Sequence, residues 1–450
     1  MVEPFDLLLR GGTLITHNGI SRGDVGVRDG RIAVIGDMAV ATAGEVFDAT
    51  GLHVLPGVID TQVHFREPGS EHKENLEAGS RGAVLGGVTA VFEMPNTSPL
   101  TTSPDALADK LARAKDRMLC EHAFYVGGTK ENAGQLAELE RLPGCCGVKI
   151  FMGSSTGNLL TEDDPTLRQI LGAINRRCAV HAEDEPRLRE RQHLAQEAAD
   201  PSAHPVWRDS ETALRATRRL IAIARETGAR VHVLHITTAE EIRFLAENKD
   251  ISSVEVTPQH LTLSAPDCYT ELGTRAQMNP PIRDESHRQG LWWGLQQGVV
   301  DVLGSDHAPH TLEEKGTIYP ASPSGMPGVQ TMLPVMLDHA AAGRLSLLRL
   351  MDLLCAGPAR LFGIAGKGRI AVGNDADFTV VDLAAKRQIL DEDMANRSGW
   401  TPFHGREVTG WPIATIIRGH IVMREGELAS PPIGQPLKFG ECLPDRIQTL

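Results

Sequence analysis

The sequence predicts an α/β protein: a (β/α)8 barrel with a small composite β-sandwich domain drawn from both chain ends. Three observations lead there. The chain has 450 residues, more than the roughly 250 of a single α/β barrel, so a barrel plus a smaller companion fits. From residue 52 onward eight short β-branched runs alternate with stretches of helical apolar spacing, and a βαβα order implies a parallel sheet. The two flanks instead carry strand-like pieces broken by Gly and Asn.

In chain order, residues 1–53 form the N-terminal part of the small β domain. Within 7–48 the runs LLLRGG and RIAVIG suggest strands joined by tight turns between antiparallel neighbours. Residues 54–366 form the barrel, with strands predicted over 54–65, 88–94, 121–126, 147–152, 179–182, 230–236, 253–257 and 299–304. Helical spacing is clearest over 105–117, 211–226 and 239–247. Eight such units favour a closed barrel over an open sheet. Residues 367–450 return to the small domain, since 367–383 and 413–427 again alternate β-branched residues with Gly-rich turns. There is no internal repeat, low-complexity tract or long linker.

Composition removes whole classes of function. Hydrophobic residues make up 41% and charged residues 23%, and no run approaches the roughly 18 apolar residues of a membrane span. The 45 basic and 58 acidic residues give a net charge of −13, which repels phosphate backbones and argues against nucleic acid as a partner. Aromatic residues are only 4%, too few to offer stacking platforms for single strands. Neither a Walker A nor a GxGxxG phosphate loop occurs. The opening residues lack the basic start and apolar core of a signal peptide, so a cytoplasmic protein is expected. Seven cysteines without a CxxC pair point to reduced, buried thiols rather than disulfides or a thiolate zinc site.

In such a barrel the working side chains stand where strands end and loops begin. Polar residues gather at those positions: Asp60, Gln62, His64 and Arg66 where the first strand ends, Asn96 at the end of the second, Lys149 on the fourth, His181 and His235 at the ends of the fifth and sixth, and Asp306, His307 and His310 at the end of the eighth. Each alone reads as an ordinary hydrogen-bonded residue, but their convergence on one rim points to a site. Imidazole and carboxylate suit Zn²⁺, Mn²⁺ or Fe²⁺, so His64, His181, His235 and Asp306 form a candidate ligand set. Lys149 is the odd member, because an ammonium repels a divalent cation; its plain reading is a buried, ion-paired lysine.

The segments DTQVHFREPG (60–69), MPNTSP (94–99), GVKIFMGSSTGNL (147–159), VHAED (180–184), VLHIT (233–237), MNPPIR (278–283), GSDHAPH (304–310) and SGMPGVQT (324–331) resemble those of the dihydroorotases, in the amidohydrolase superfamily. The resemblance covers nearly the whole chain, including the composite β domain. It implies one or two metal ions per chain, usually Zn²⁺, bridged when there are two by a lysine that CO₂ has converted to a carbamate, here Lys149. Carboxylation turns a repelling cation into a two-oxygen anion. The implied metal ligands are His64, Lys149, His181, His235 and Asp306.

The chain departs from the family at one place. Where the family has His-x-His, this sequence has Gln62-Val63-His64, and an amide oxygen is a weaker zinc ligand than imidazole. Gln62 then coordinates weakly, or that position is partly filled, or one metal is held by Lys149, His181 and His235, or Gln62 only hydrogen-bonds a water.

The implied reaction is the reversible hydrolysis of L-dihydroorotate to N-carbamoyl-L-aspartate in de novo pyrimidine biosynthesis. The metal activates water and polarises the attacked carbonyl. Asp306 is the expected general base, with pure ligation as its alternative role. Arg66, two residues beyond His64 on an extended strand, points the same way and is expected to bind the substrate carboxylate as a fork, with a rim salt bridge as the alternative. Asn96 and His310 match the family's other carboxylate contacts, and Asn279 a position that contacts the ring. The loop Ser324–Gly328 supplies small residues that let backbone approach the ring's amide edge, unless it is simply a turn. Hydantoinases and allantoinases share the metals but not this carboxylate need, so Arg66 and Asn96 disfavour them. A non-catalytic scaffold for aspartate transcarbamoylase is disfavoured by the retained Lys149, His181, His235 and Asp306. A homodimer is what the resemblance implies; association with a transcarbamoylase has no support in the sequence.

Overall fold

The computed structural model describes residues 4–154 and 159–440; within the segment 147–159, residues 155–158 lie outside the described residues. Eight strands form one parallel sheet in sequential order: Val58–Val63, Val88–Glu93, Glu121–Gly127, Cys145–Phe151, Cys178–His181, Val231–Val233, Ser252–Val256 and Val302–Leu303. The sheet curls until its ends meet, where the backbone N–H of His64 donates to the carbonyl of His307 at 2.7 Å and Val63 bridges His307 in parallel. This is the expected (β/α)8 barrel.

The helices between strands arise from capped amphipathic sequence. Ser103, Asp209 and Thr238 accept backbone N–H groups at the starts of Pro104–Ala114, Ser210–Thr227 and Ala239–Ala246, satisfying donors that a helix start leaves orphaned. In Ser210–Thr227 the buried residues Ala213, Ala216, Leu220, Ile223 and Ala224 recur every three or four positions, the stripe that packs on the barrel wall. Gly228 ends this helix at φ +69°.

The run 54–65 is not one strand. It divides at Gly57: His53–Pro56 belongs to a second sheet, and only Val58–Val63 enters the barrel. A Cβ on Gly57 would stand 2.5 Å from Thr89 Oγ1 and 2.8 Å from the Asp377 Cβ, so the chain passes between the two sheets only as glycine. The predicted strands 230–236 and 299–304 are also shorter, Val231–Val233 and Val302–Leu303. His235 turns to φ +36°, and Val299 and Val300 still bond back to Gly294 at the end of the preceding helix.

The second sheet has nine strands drawn from both chain ends. Phe5–Thr16, Gly19–Arg28 and Arg31–Gly36 run antiparallel as expected. Ala43–Asp48 and His53–Pro56, however, pair with Phe5–Thr16 in parallel, because the chain crosses over in 37–42 before laying down the fourth strand. His53–Pro56 then pairs with Phe378–Gln388, which leads into Glu407–Ile417 and His420–Arg424. The sheet encloses its own core of Leu7, Leu9, Leu14, Val25, Val27, Phe378, Val380 and Ile416, among others.

Inside the barrel Ile59, Ala90, Phe92, Ala123, Tyr125 and Ala179 pack together with Phe362 and Leu437 from beyond the last strand. His122 exchanges backbone hydrogen bonds with Gln435 and Leu437 near the start of the third strand, so the C-terminal segment covers the end of the barrel opposite the strand tips. The six described cysteines are buried and free. Among the described residues no helix is long and apolar enough to cross a membrane.

Candidate active site

At the C-terminal ends of the strands, Gln62, His64, Arg66, Lys149, His181, His235, Asn279, Asp306 and the loop residues Ser324 and Gly325 line one narrow cavity. Three of these residues hold backbone conformations that side-chain-bearing residues avoid: Arg66 at φ +62°, His235 at +36° and Asp306 at +43°. Such conformations cost about 1–3 kcal/mol each and persist where surrounding structure enforces them, often at functional sites. All three sit just past a strand end, turning their side chains over the mouth.

Asp306 is held on one oxygen. Its Oδ1 accepts from Gln62 Nε2 at 2.9 Å and lies 3.3 Å from His64 Nε2. His64 Nδ1 faces Asn96 Oδ1 at 2.9 Å, and burial pushes the imidazole down to about 4, so it is neutral. The Gln62 Oε1 is buried without a partner among the described residues.

Lys149 is buried at 1% exposure. Its ammonium lies 4.4 Å from the centre of the Phe151 ring, and among the described residues it makes no ion pair, so the plain reading of a salt-bridged lysine fails. Burial brings it down to about 7, with Asp306 and Glu255 opposing the shift. Glu255 is itself pushed up to about 8 by burial while accepting from Thr61.

His181 and His235 meet edge to face, His181 Nδ1 standing 3.1 Å from His235 Nε2. The tautomer of His181 is set from behind, because its Nε2 donates to Glu183 Oε2 at 2.9 Å, leaving Nδ1 bare toward the cavity. Glu183 is gripped by Arg208 through both carboxylate oxygens. Burial alone would raise the Glu183 carboxyl, but Arg208 and His181 hold it well below the usual range. Burial holds both imidazoles below their usual range, and His235 Nδ1 is buried without a partner among the described residues.

This donor set fits a divalent cation on one condition. Among the described residues no three of His, Cys, Asp and Glu are grouped as metal ligands, and Asp306 brings the cavity a single carboxylate; the condition is that Lys149 adds a further anionic donor. As an ammonium Lys149 opposes a metal. As a carbamate it would join the bare His181 nitrogen, His235 and Asp306 around one centre, a mixed nitrogen and oxygen set suited to zinc.

Arg66, only 6% exposed, donates through Nε to the Pro309 carbonyl at 3.2 Å, and its Nη2 lies 3.3 Å from His310 Nε2. It makes no ion pair among the described residues, so the rim salt bridge is absent. Burial lowers the guanidinium to about 10, which leaves it charged at neutral pH. His310 also contacts Ser324 O at 3.1 Å and Lys73 Nζ at 3.2 Å. The loop carrying Ser324 and Gly325 is pinned by Lys315, which donates to the carbonyls of Gln277, Pro323 and Gly325 at 3.0, 2.8 and 3.1 Å. A Cβ on Gly325 would meet Ala308 O at 2.4 Å, so this glycine is a close-approach position rather than a free turn.

Of the residues singled out from the sequence, Gln62, His64, Arg66, Lys149, His181, His235, Asn279 and Asp306 line the cavity, and Asn96 and His310 contact His64 and Arg66; Asp60 instead accepts from the backbone of Gln62 and Ser305, and His307 lies beside Glu74 and Gly328. Residues 53–422 match the model described as Amidohydrolase family. The chain belongs to the amidohydrolase family. Among its relatives, this amidohydrolase is 39% identical over 391 residues to a dihydroorotase of Halobacterium salinarum, covering 85% of this chain and 90% of that protein. An allantoinase of Rubrobacter xylanophilus is 35% identical, over 96% of this chain and 98% of its own length. Among solved structures, an L-hydantoinase from Arthrobacter aurescens superposes with a TM-score of 0.92 at 31% identity, covering 96% of this chain and 99% of that one.

Sequence reasoning missed the residues that brace this amidohydrolase's site: Glu183, Arg208, Lys315, Glu255 and His204. Glu183 carried a usable signal, a carboxylate two residues past a strand-end histidine. Arg208, His204 and Lys315 reach the site from distant loops and leave no local pattern.

Proposed function

We propose that this amidohydrolase is a dihydroorotase, interconverting L-dihydroorotate and N-carbamoyl-L-aspartate in de novo pyrimidine biosynthesis, with ring closure as the biosynthetic direction. The observation that carries the reading is Arg66: a buried guanidinium with no carboxylate partner, in the same cavity as Lys149, His181, His235 and Asp306. A buried charge without a counter-ion is costly, and a substrate carboxylate supplies one. Neutral hydantoin rings give Arg66 nothing to bind.

In this reading Lys149 as its carbamate, His181, His235, His64 and Asp306 hold zinc. When bound, such a metal lowers the pKa of water and polarises the attacked carbonyl. Arg66, with His310 beside it and Asn96 against His64, anchors the substrate carboxylate, converting an encounter into a fixed orientation. Asp306 Oδ1 is held by Gln62 and His64, while Oδ2 makes no hydrogen bond among the described residues. That oxygen takes the proton of the attacking water as the C–O bond forms and delivers it to the ring nitrogen as the C–N bond breaks, a role worth about 10²–10⁴-fold.

The test is to purify the protein with bicarbonate, measure metal per chain by elemental analysis, and assay carbamoyl-aspartate formation from dihydroorotate, with Lys149→Ala beside it. Turnover that disappears in the variant supports the reading. A metal-loaded protein inert toward dihydroorotate but active on hydantoin or allantoin overturns it in favour of the second reading, which the similarity to the L-hydantoinase and the allantoinase supports.

A further inference from the structure

His204 lies behind the cavity wall, fully buried at the start of the short helix His204–Trp207. Its Nε2 faces two atoms, the Met278 carbonyl at 3.1 Å and the Asn279 side chain at 2.9 Å. A backbone carbonyl only accepts, so Nε2 carries the hydrogen. The Asn279 atom beside that N–H is then its oxygen, because an NH₂ group there would set donor against donor. His204 Nδ1, left bare, accepts from the Tyr319 hydroxyl at 3.3 Å. The imidazole ring is further fixed by edge contacts with Trp207 and Tyr319, both with centroids 5.8 Å away.

With its oxygen turned back to His204, Asn279 presents its NH₂ to the cavity it lines, and no described residue accepts from that group. We propose that His204 is a positioning residue that locks Asn279 as a hydrogen-bond donor, so that the site selects cyclic amides presenting a ring carbonyl oxygen there and rejects analogues with an amino group in its place. Burial keeps the His204 imidazole neutral near any working pH, so the relay holds one polarity. This rests on the cavity being the cyclic-amide site proposed above.

The experiment uses the metal-loaded enzyme and competitive inhibition by a pyrimidine carboxylate with both ring carbonyls, and by the two analogues in which one or the other carbonyl is an amino group. The wild type is expected to reject one amino analogue by about 5–150-fold, the range that one unmatched buried polar contact of about 1–3 kcal/mol gives. His204→Phe frees the Asn279 amide to rotate, and the ratio should fall below about threefold. His204→Gln, which restores an N–H donor, should recover much of it, and Asn279→Asp should favour the amino analogue. A merely structural His204 would lower thermal stability and kcat while leaving the ratio intact, and that result overturns the proposal, as does a wild type that does not discriminate. If His204→Phe fails to fold, Asn279→Asp and His204→Gln still read the ratio. Dihydroorotate turnover by the wild type is measured first. Its absence would overturn the substrate reading alone, and the comparison then passes to whichever cyclic amide is hydrolysed, with its amino analogue.

Discussion

Gln62 donates its side-chain N–H to Asp306 Oδ1 at 2.9 Å, while its own oxygen stays buried and unpartnered among the described residues. The amide thus serves Asp306 as a hydrogen-bond donor with its dipole fixed. An imidazole at this position would instead offer a lone pair to a cation.

The metal content should follow from that difference. Gln62→His is expected to raise the metal bound per chain above the wild-type value, because imidazole is a better zinc ligand than an amide. Elemental analysis of both proteins after the same bicarbonate and zinc treatment checks it; equal contents would show that position 62 does not control loading.

Arg66→Met should raise KM for dihydroorotate by about 30–150-fold, the loss of charge-assisted hydrogen bonds worth about 2–3 kcal/mol. Any residual activity on a neutral hydantoin should change less than threefold, since that ring lacks the carboxylate. Steady-state kinetics on the two substrates separates this from general damage, which would depress both.

Glu183→Gln should weaken zinc binding about 10–100-fold, the usual effect of changing the partner that fixes a ligand histidine, here an anionic acceptor replaced by a neutral amide oxygen. Arg208 then loses its ionic partner, so a fall in melting temperature is expected as well. Competition with a chelator of known affinity reads the first effect and calorimetry the second.

Lys149 carries a pH signature. Carboxylation needs the neutral amine, and with the folded group at about 7 the neutral fraction rises steeply between roughly pH 6 and 8. Metal-free protein exposed to ¹³C-bicarbonate should show a lysine carbamate resonance that strengthens across that window. The linked effect on stability has the same sign. Between about 7 and the ordinary lysine value of 10.5, the unfolded chain holds a proton that the folded chain has released, so this group's contribution to the stability of uncarboxylated apoprotein rises with pH. Apoprotein Lys149→Met should lose that rise.

The barrel was legible because its strands are short, β-branched and separated by capped helices: 88–94 is observed as Val88–Glu93 and 211–226 as Ser210–Thr227. The split at Gly57 was missed although Pro56-Gly57 is a breaker pair within the apolar run; the packing of Thr89 and Asp377 against Gly57 shows why the joint falls there. At the site, the chemistry-bearing residues stood at strand ends and were visible. The left-handed turns at Arg66, His235 and Asp306 were not, because Arg has no such preference and the enrichment of Asp and His at positive φ is too small to single out one position. Nor were His204 and Lys315, whose roles exist only once distant loops are folded together.

The sheet that joins residues 5–56 to residues 378–428 has a consequence for synthesis. A ribosome delivers the N-terminal strands long before their partners, so Leu7, Leu9, Leu14, Val25 and Val27 must wait with their apolar face uncovered while some three hundred residues of barrel emerge. The last strands therefore complete the small sheet only after the barrel residues have been made, and a nascent chain stopped before Phe378 is expected to be a substrate for chaperones rather than a folded intermediate.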